Sequence, residues 1–230
     1  MTLLQTPSAA IPPVGGFPKL SRAAGAVWFL LLAAFYGRAL VSTLIDLPPT
    51  PLDFSQWAPL LSSGCTLAFF LTLAWLMLVR PAAAAQKTGL APRAVSLLGT
   101  YGVWTVGFLP ATELSPGLAF ASALVTLVGS ILVVFTIIHL GRAFSIAPQA
   151  RTLVTQGPYA LVRHPLYAAE EIAIVGVAMH VIWWGAVPFL LAHLALQLRR
   201  MAYEERLLAS VFPDYADYAR RTARLIPGLW

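Results

Sequence analysis

The chain has 230 residues, 59% of them hydrophobic and only 10% charged, with a formal net charge of +6 and a mean hydropathy of +0.77. That balance is too apolar and too charge-poor for an ordinary soluble domain and makes the bilayer its solvent. With Cys65 as the only cysteine, a disulfide framework and a thiolate zinc cluster are both excluded.

Residues 1–23, rich in proline and glycine, read as a flexible tail. Four apolar stretches follow at 24–45, 60–79, 94–109 and 118–140, against the roughly 20 residues that a spanning helix needs. The first is longer than the core of a signal peptide and lacks a small-residue cleavage site, so it reads as a retained helix. Arg38 lies within it and either snorkels to the interface, pairs with Asp46 or lines a cavity. The proline-rich 47–51 and the alanine run 82–85 are connectors. In the fourth stretch Ser122, Thr126, Gly129 and Ser130 fall at helical spacings and allow close approach by a neighbouring helix.

From 141 to 165 the chain is polar, and Pro148, Gly157 and Pro158 prevent a continuous helix, which predicts a re-entrant or cytoplasmic loop. Pro165 suits a first helical turn. Glu170 and Glu171 behind it are expected to cap that helix and compensate its dipole. The apolar block 166–198 has room for two short helices, with the break expected at Trp183-Trp184-Gly185 and Pro188. Trp183 and Trp184 suit an outer aromatic belt. His139 and His180 read as interfacial or hydrogen-bonded, and no metal-ligand spacing connects them.

On the last arm His193, Gln197, Arg200 and Glu204 recur at intervals of four, three and four, which places them on one helix face. Such a stripe entering an apolar zone is costly unless it lines a pocket or pairs internally. A surface Arg200–Glu204 pair at a cytoplasmic helix end is the plainer alternative. His193 and Gln197 are the expected substrate contacts.

The lysines and arginines precede the first helix, fill the second connection, follow the fourth helix and crowd the C-terminal end, whereas the opposite loops carry Asp46, Asp53 and Glu113 with no Lys or Arg. Positive loops stay in the cytoplasm, so both termini and the polar regions belong there. Spread over membrane-flanking loops, these charges suit anionic lipid headgroups and not nucleic acid. A bacterial inner membrane and an endoplasmic-reticulum membrane fit equally well.

Three segments converge on one pattern: Leu153-Val154, then Gly157-Pro158-Tyr159 and Arg163-His164-Pro165 with Tyr167, and later Glu204-Glu205, Phe212, Tyr215, Tyr218, Arg224, Ile226 and Pro227. The set resembles the isoprenylcysteine carboxyl methyltransferase and phospholipid methyltransferase group of integral membrane methyltransferases. It covers about the last 90 residues. The family often has glycine where Ala169 and Pro213 stand, departures that touch packing and a turn.

The resemblance implies an all-α polytopic membrane fold of about four spanning helices plus a C-terminal helical hairpin. Residues 24–140 would form the N-terminal helices and 141–230 the methyltransferase region of one membrane domain. It implies S-adenosyl-L-methionine bound on the cytoplasmic side by Leu153, Val154, Gly157, Pro158, Tyr159, His164, Pro165, Tyr167, Glu204 and Glu205. His164 and amides near Tyr159 suit the cofactor carboxylate, Glu204 or Glu205 its ammonium or ribose hydroxyls, and Tyr159, Tyr167 and Tyr203 offer faces to a cation. Arg163, Arg200 and Glu204 are the expected catalytic residues. A carboxylate acceptor, as in a prenylated cysteine, needs orientation by Arg163 or Arg200 but no base. A lipid amine needs one, from Glu204, Glu205 or His193. An NADPH-dependent sterol or enone reductase, similar in its C-terminal helices, and a non-enzymatic membrane scaffold are the alternatives.

Overall fold

A computed structural model describes residues 18–47, 54–81, 83, 85–86 and 89–228. Most of the expected tail, the proline-rich connection after Leu47, Asp53 and Lys87 lie outside the described residues. The architecture is all-α. Its long elements are α1 (Pro18–Ile45), α2 (Phe54–Val79), α3 (Leu90–Tyr101), α4 (Pro116–Leu140), α5 (Pro165–Ala178) and α6 (Trp183–Val211), with a short α7 (Tyr215–Arg221). Helix α1 starts inside the stretch expected as tail, at a proline whose fixed φ suits a first turn.

Among the described residues, three helices are long and apolar enough to cross a membrane, over Arg22–Ile45, Leu60–Val79 and Pro116–Ala143. Their outward faces carry large apolar side chains: Phe35 and Trp75 are 69% and 63% exposed, a pattern that lipid and not water satisfies. Inward, α1 packs on α2 and α2 on α4. Phe29 stacks on Phe70 with ring centroids 6.3 Å apart.

The expected helix over 94–109 is not a single helix. Helix α3 stops at Tyr101 and a tighter 3-10 segment runs from Gly102 to Phe108. Glycines 102 and 107 weaken α-helix, and the Thr105 hydroxyl donates to the Gly102 carbonyl at 2.7 Å, closing a three-residue turn.

The small-residue stripe of α4 packs on α5. A Cβ on Gly129 would stand 2.3 Å from the Ala173 amide nitrogen, and one on Gly176 2.6 Å from that of Thr126. The Ser122 hydroxyl donates to the Gly176 carbonyl at 2.8 Å. Helices α5 and α6 form the hairpin, but the turn lies at 179–182, ahead of the expected break. It is fixed by the segment after the 3-10 turn: the Thr112 amide donates to the His180 carbonyl at 2.9 Å and the Ile182 amide to that of Pro110 at 3.0 Å. Trp183, Trp184 and Gly185 begin α6, and Pro188 lies inside it, where its missing donor removes one early hydrogen bond.

The polar loop ahead of α5 is held by a two-residue antiparallel ribbon, β1 (Ala85–Gln86) with β2 (Gln149–Ala150). Further on, Val162 bridges to Ala223, so the C-terminal segment lies along the Arg-His-Pro turn.

Candidate functional site

The stripe on α6 meets carboxylates of α5. Glu171 pairs with His193 Nδ1 at 2.7 Å, while His193 Nε2 lies 3.1 Å from the Gly99 carbonyl of α3. The ring is thus held from both nitrogens, between a carboxylate of α5 and a carbonyl of α3. One turn on, the Gln197 amide donates to Glu170 at 2.7 Å, and Arg200 donates to the Gln197 carbonyl oxygen at 2.9 Å. The Arg200 guanidinium carbon sits 4.7 Å from the Tyr167 ring centroid, and the Tyr167 hydroxyl donates to Glu204. A continuous polar line thus runs Glu170, Gln197, Arg200, Tyr167, Glu204.

This line revises two expectations. Glu170 and Glu171 do not cap α5; no acidic residue occupies its first turn, and both reach across to α6. Arg200 is not half of a surface pair, being 4% exposed. A guanidinium buried this deeply persists only with hydrogen bonds and opposite charge around it. Gly99 makes room for it: a Cβ there would stand 2.7 Å from Arg200 Cδ.

A second cluster surrounds Glu205, which lies past the apolar part of α6. Arg163 Nε donates to one carboxylate oxygen at 2.9 Å and His164 Nε2 stands 3.1 Å from it; Arg224 reaches the other oxygen at 2.9 Å. Burial opposes ionisation of Glu205, but the hydrogen bond and charge of His164, then Arg224 and Arg163, outweigh it and hold the carboxyl at about 2. Arg163 also donates to the carbonyls of Ala219 and Thr222 at 2.6 and 2.7 Å. The Tyr218 hydroxyl donates to the Tyr159 carbonyl at 2.7 Å, and burial, against the charge of Arg163, pushes that phenol up to about 12. Gly157 opens this loop with φ +61°, and a Cβ there would meet His139 Cδ2 at 2.6 Å. Glycine is therefore required twice over.

Between the two clusters lies a cavity of about 920 Å³, near the top of the usual range for ligand pockets, about 300–1,000 Å³. Its polar end is formed by Tyr159, His164, Tyr167, Glu170, His193, Arg200 and Glu204, with Leu153, Val154 and Arg163 beside them. Its other end is apolar and runs between α1, α2, α4 and α5, past Phe29, Tyr36, Phe70, Val133 and Ile174. Of the expected site residues, Gly157, Pro158, Pro165, Gln197 and Glu205 do not line it. Gln197 is wholly buried and spans Glu170 and Arg200, behind the wall. Glu170 and Gly99 were missed. The signal for Glu170 was its place three residues after Tyr167, on the same face of α5.

Residues 118–215 match the phospholipid methyltransferase family. This is a family of integral membrane methyltransferases related to the isoprenylcysteine carboxyl methyltransferases. The matched stretch runs from α4 to the first residue of α7, so it contains the polar line together with Arg163, His164 and Glu205, but not Arg224. The chain is also 42% identical over 79 residues to the cobalt-zinc-cadmium resistance protein CzcN of Cupriavidus metallidurans. It is 41% identical over 78 residues to the nickel-cobalt-cadmium resistance protein NccN of Alcaligenes xylosoxydans xylosoxydans. Each alignment takes in 34% of this chain and 37% of the relative.

Proposed function

We propose that the protein is an S-adenosyl-L-methionine-dependent methyltransferase whose acceptor is a lipophilic molecule entering from the bilayer. The observation that carries this reading is the two-part cavity: a charged end, built within the family-matched region, opens into an apolar passage between candidate spanning helices. A lipid tail suits the passage, and a cofactor bearing carboxylate, ammonium, hydroxyls and sulfonium suits the charged end.

The donor set fits that cofactor. Glu170 and Glu204 offer carboxylates to an ammonium or to ribose hydroxyls, Arg200 and His164 offer cationic donors to a carboxylate, and Tyr159 and Tyr167 border the same space. S-adenosyl-L-methionine supplies, when bound, a methyl group activated by a sulfonium that leaves as a neutral thioether. The protein's part is then positioning and exclusion of water, with no covalent nucleophile. Arg200 is held over Tyr167 and through Gln197, with its Nε buried and unpaired, so it is pre-set to orient an anionic group. The apolar walls around Phe29 and Phe70 keep bulk water from the acceptor's tail. Glu205 and Arg163 hold the loop that carries Tyr159 and His164.

We take the carboxylate of a prenylated cysteine as the acceptor, because Arg200 supplies orientation and a carboxylate needs no base. The family match and the two cavity carboxylates favour a second acceptor, a phospholipid amine, with Glu204 taking the proton. The run of basic loops supports cytoplasmic placement of the charged end and of both termini.

Calorimetric titration of detergent-purified protein with S-adenosylhomocysteine, beside NADPH, tests this. S-adenosylhomocysteine should bind, NADPH should not, and Glu204→Gln should weaken binding by about 10- to 100-fold, the loss of roughly one charge-assisted hydrogen bond. Selective NADPH binding moves the protein to the reductases, and binding of neither by folded protein removes the cofactor assignment. Radiolabelled methyl transfer to prenylcysteine against phosphatidylethanolamine then separates the acceptors.

A further inference from the structure

Helix α2 ends at Val79, and arginines gather on three consecutive residues there. Arg142 Nε donates to the Val79 carbonyl at 2.9 Å. Arg80 comes next, and Arg151 donates to the Pro81 carbonyl while its other terminal nitrogen holds the Gln149 side chain. Arg22, near the start of α1, is close enough for its charge to act on both Arg80 and Arg151.

Carbonyls at a helix C-terminus attract cations, which accounts for the contacts of Arg142 and Arg151. Such an end is worth only about half a charge, against four guanidinium groups. None of the four joins a carboxylate in an ion pair among the described residues. The sequence explains why. No Asp or Glu occurs before Asp46, between Asp53 and Glu113, or between Glu113 and Glu170.

Within the cluster Arg151 is buried and Arg80 half-buried, while Arg142 is exposed. Arg151 is 7% exposed, and the Nε atoms of Arg80 and Arg151 are both buried without a partner. Burial, then the charges of Arg80 and Arg22, push the Arg151 guanidinium down to about 10. Burial and then Arg22 push Arg80 the same way. Arg80 and Arg151, like charges drawn from water with idle Nε donors and no ion-paired acid among the described residues, fit a bound anion.

The location names the anion's source. Arg22 opens one candidate span, Arg80 directly follows the second, and Arg142 lies in the last turn of the third. The cluster therefore stands where hydrocarbon meets water in one leaflet, the level of the lipid phosphates. Beside it on α2, Trp75 and Leu78 turn 63% and 52% exposed apolar surface outward, against which an acyl chain can lie. None of the four arginines lines the large cavity, so this site is separate from the proposed methyl-transfer site.

We infer that Arg22, Arg80, Arg142 and Arg151 form a binding site for the phosphate of an anionic glycerophospholipid in the bilayer around the protein. Thermal unfolding of the full chain in detergent tests it, with phosphatidylglycerol, phosphatidylcholine or inorganic phosphate added in parallel. Phosphatidylglycerol should raise the Tm by several degrees, the rise should fade with added salt, and phosphatidylcholine should give none. The variant Arg22→Gln/Arg80→Gln keeps both carbonyl contacts of Arg142 and Arg151, and should lose most of the rise. Arg22→Glu gives the cluster its own carboxylate, and should melt higher than wild type without lipid and ignore phosphatidylglycerol. An equal rise with millimolar inorganic phosphate would overturn the lipid assignment in favour of a soluble anion. An unchanged phosphatidylglycerol response in both variants, or no response in wild type, would overturn the site. S-adenosylhomocysteine affinity should stay the same in both variants, which keeps this test independent of the methyltransferase reading.

Discussion

Glu204 and Glu205 are neighbours in sequence but belong to two regions that do different work. Successive helical residues point about 100° apart. Glu204 therefore faces the cavity, held by the Tyr167 hydroxyl, while Glu205 faces the Arg-His-Pro loop and is shared by Arg163, His164 and Arg224. A carboxylate shared by two arginines and a histidine, with no cavity surface, is a fastener. One with a single phenol partner and a cavity face keeps acceptor capacity for a ligand. A motif of two adjacent glutamates thus contains one residue that fastens the loop and one that faces the cavity.

Substituting Glu205 sharpens that division most. Glu205→Gln leaves Arg163, Arg224 and the His164 ring around a neutral group and should cost about 3 kcal/mol or more, seen as a large drop in Tm. S-adenosylhomocysteine affinity of the folded protein should hold within about threefold, because Glu205 has no cavity surface. Glu204→Gln should do the reverse, sparing Tm and weakening the ligand. Equal losses of affinity in the two variants would break the comparison.

Acid is the next lever. Glu205 titrates at about 2 in the folded protein, against an ordinary value near 4.3. Its stabilisation is then complete above the ordinary value and is lost as pH falls from about 4.3 through about 2, up to about 3 kcal/mol. Chemical denaturation across that window should show the loss in wild type, and Glu205→Gln should abolish this part of it. An identical acid slope in the variant would remove Glu205 from the clamp.

The smallest effect is expected at Tyr218. Tyr218→Phe removes the donor to the buried Tyr159 carbonyl and should cost about 1 kcal/mol, measured as a shift of the denaturation midpoint at constant slope. Because Tyr159 borders the cavity, a slight loss of ligand affinity, about twofold, should accompany it. A loss as large as that of Glu204→Gln would show that the loop is a direct extension of the site.

Much of this was legible in the chain itself. The apolar runs of α1, α2 and α4 are long enough to read alone, and the stripe of Ser122, Thr126 and Gly129 correctly foretold close packing by another helix. The convergence of Gly-Pro-Tyr, Arg-His-Pro and Glu-Glu was visible as a pattern, because those residue types have little reason to recur in so apolar a chain. The 3-10 segment at 102–108 was not legible, since apolar content does not distinguish two helical pitches and scattered glycines only weaken one of them. The hairpin turn was misplaced because Gly185 and Pro188 are tolerated in the opening turns of a helix, and the actual turn is set by backbone bonds from a segment some 70 residues away. The partners of Glu170 and Glu171 were hidden for the same reason.

The sequence by itself determined that this is a helical membrane protein with a charged C-terminal site, because hydrocarbon demands long apolar runs and tolerates charge only in clusters that satisfy themselves. Only the tertiary structure decided which charge satisfies which. It set Glu205 among Arg163, His164 and Arg224, threaded Arg200 past Gly99 onto Tyr167, and left Arg22, Arg80, Arg142 and Arg151 without an ion-paired acid among the described residues. Pairing depends on distances between elements far apart in the chain, and periodicity along one helix does not encode them.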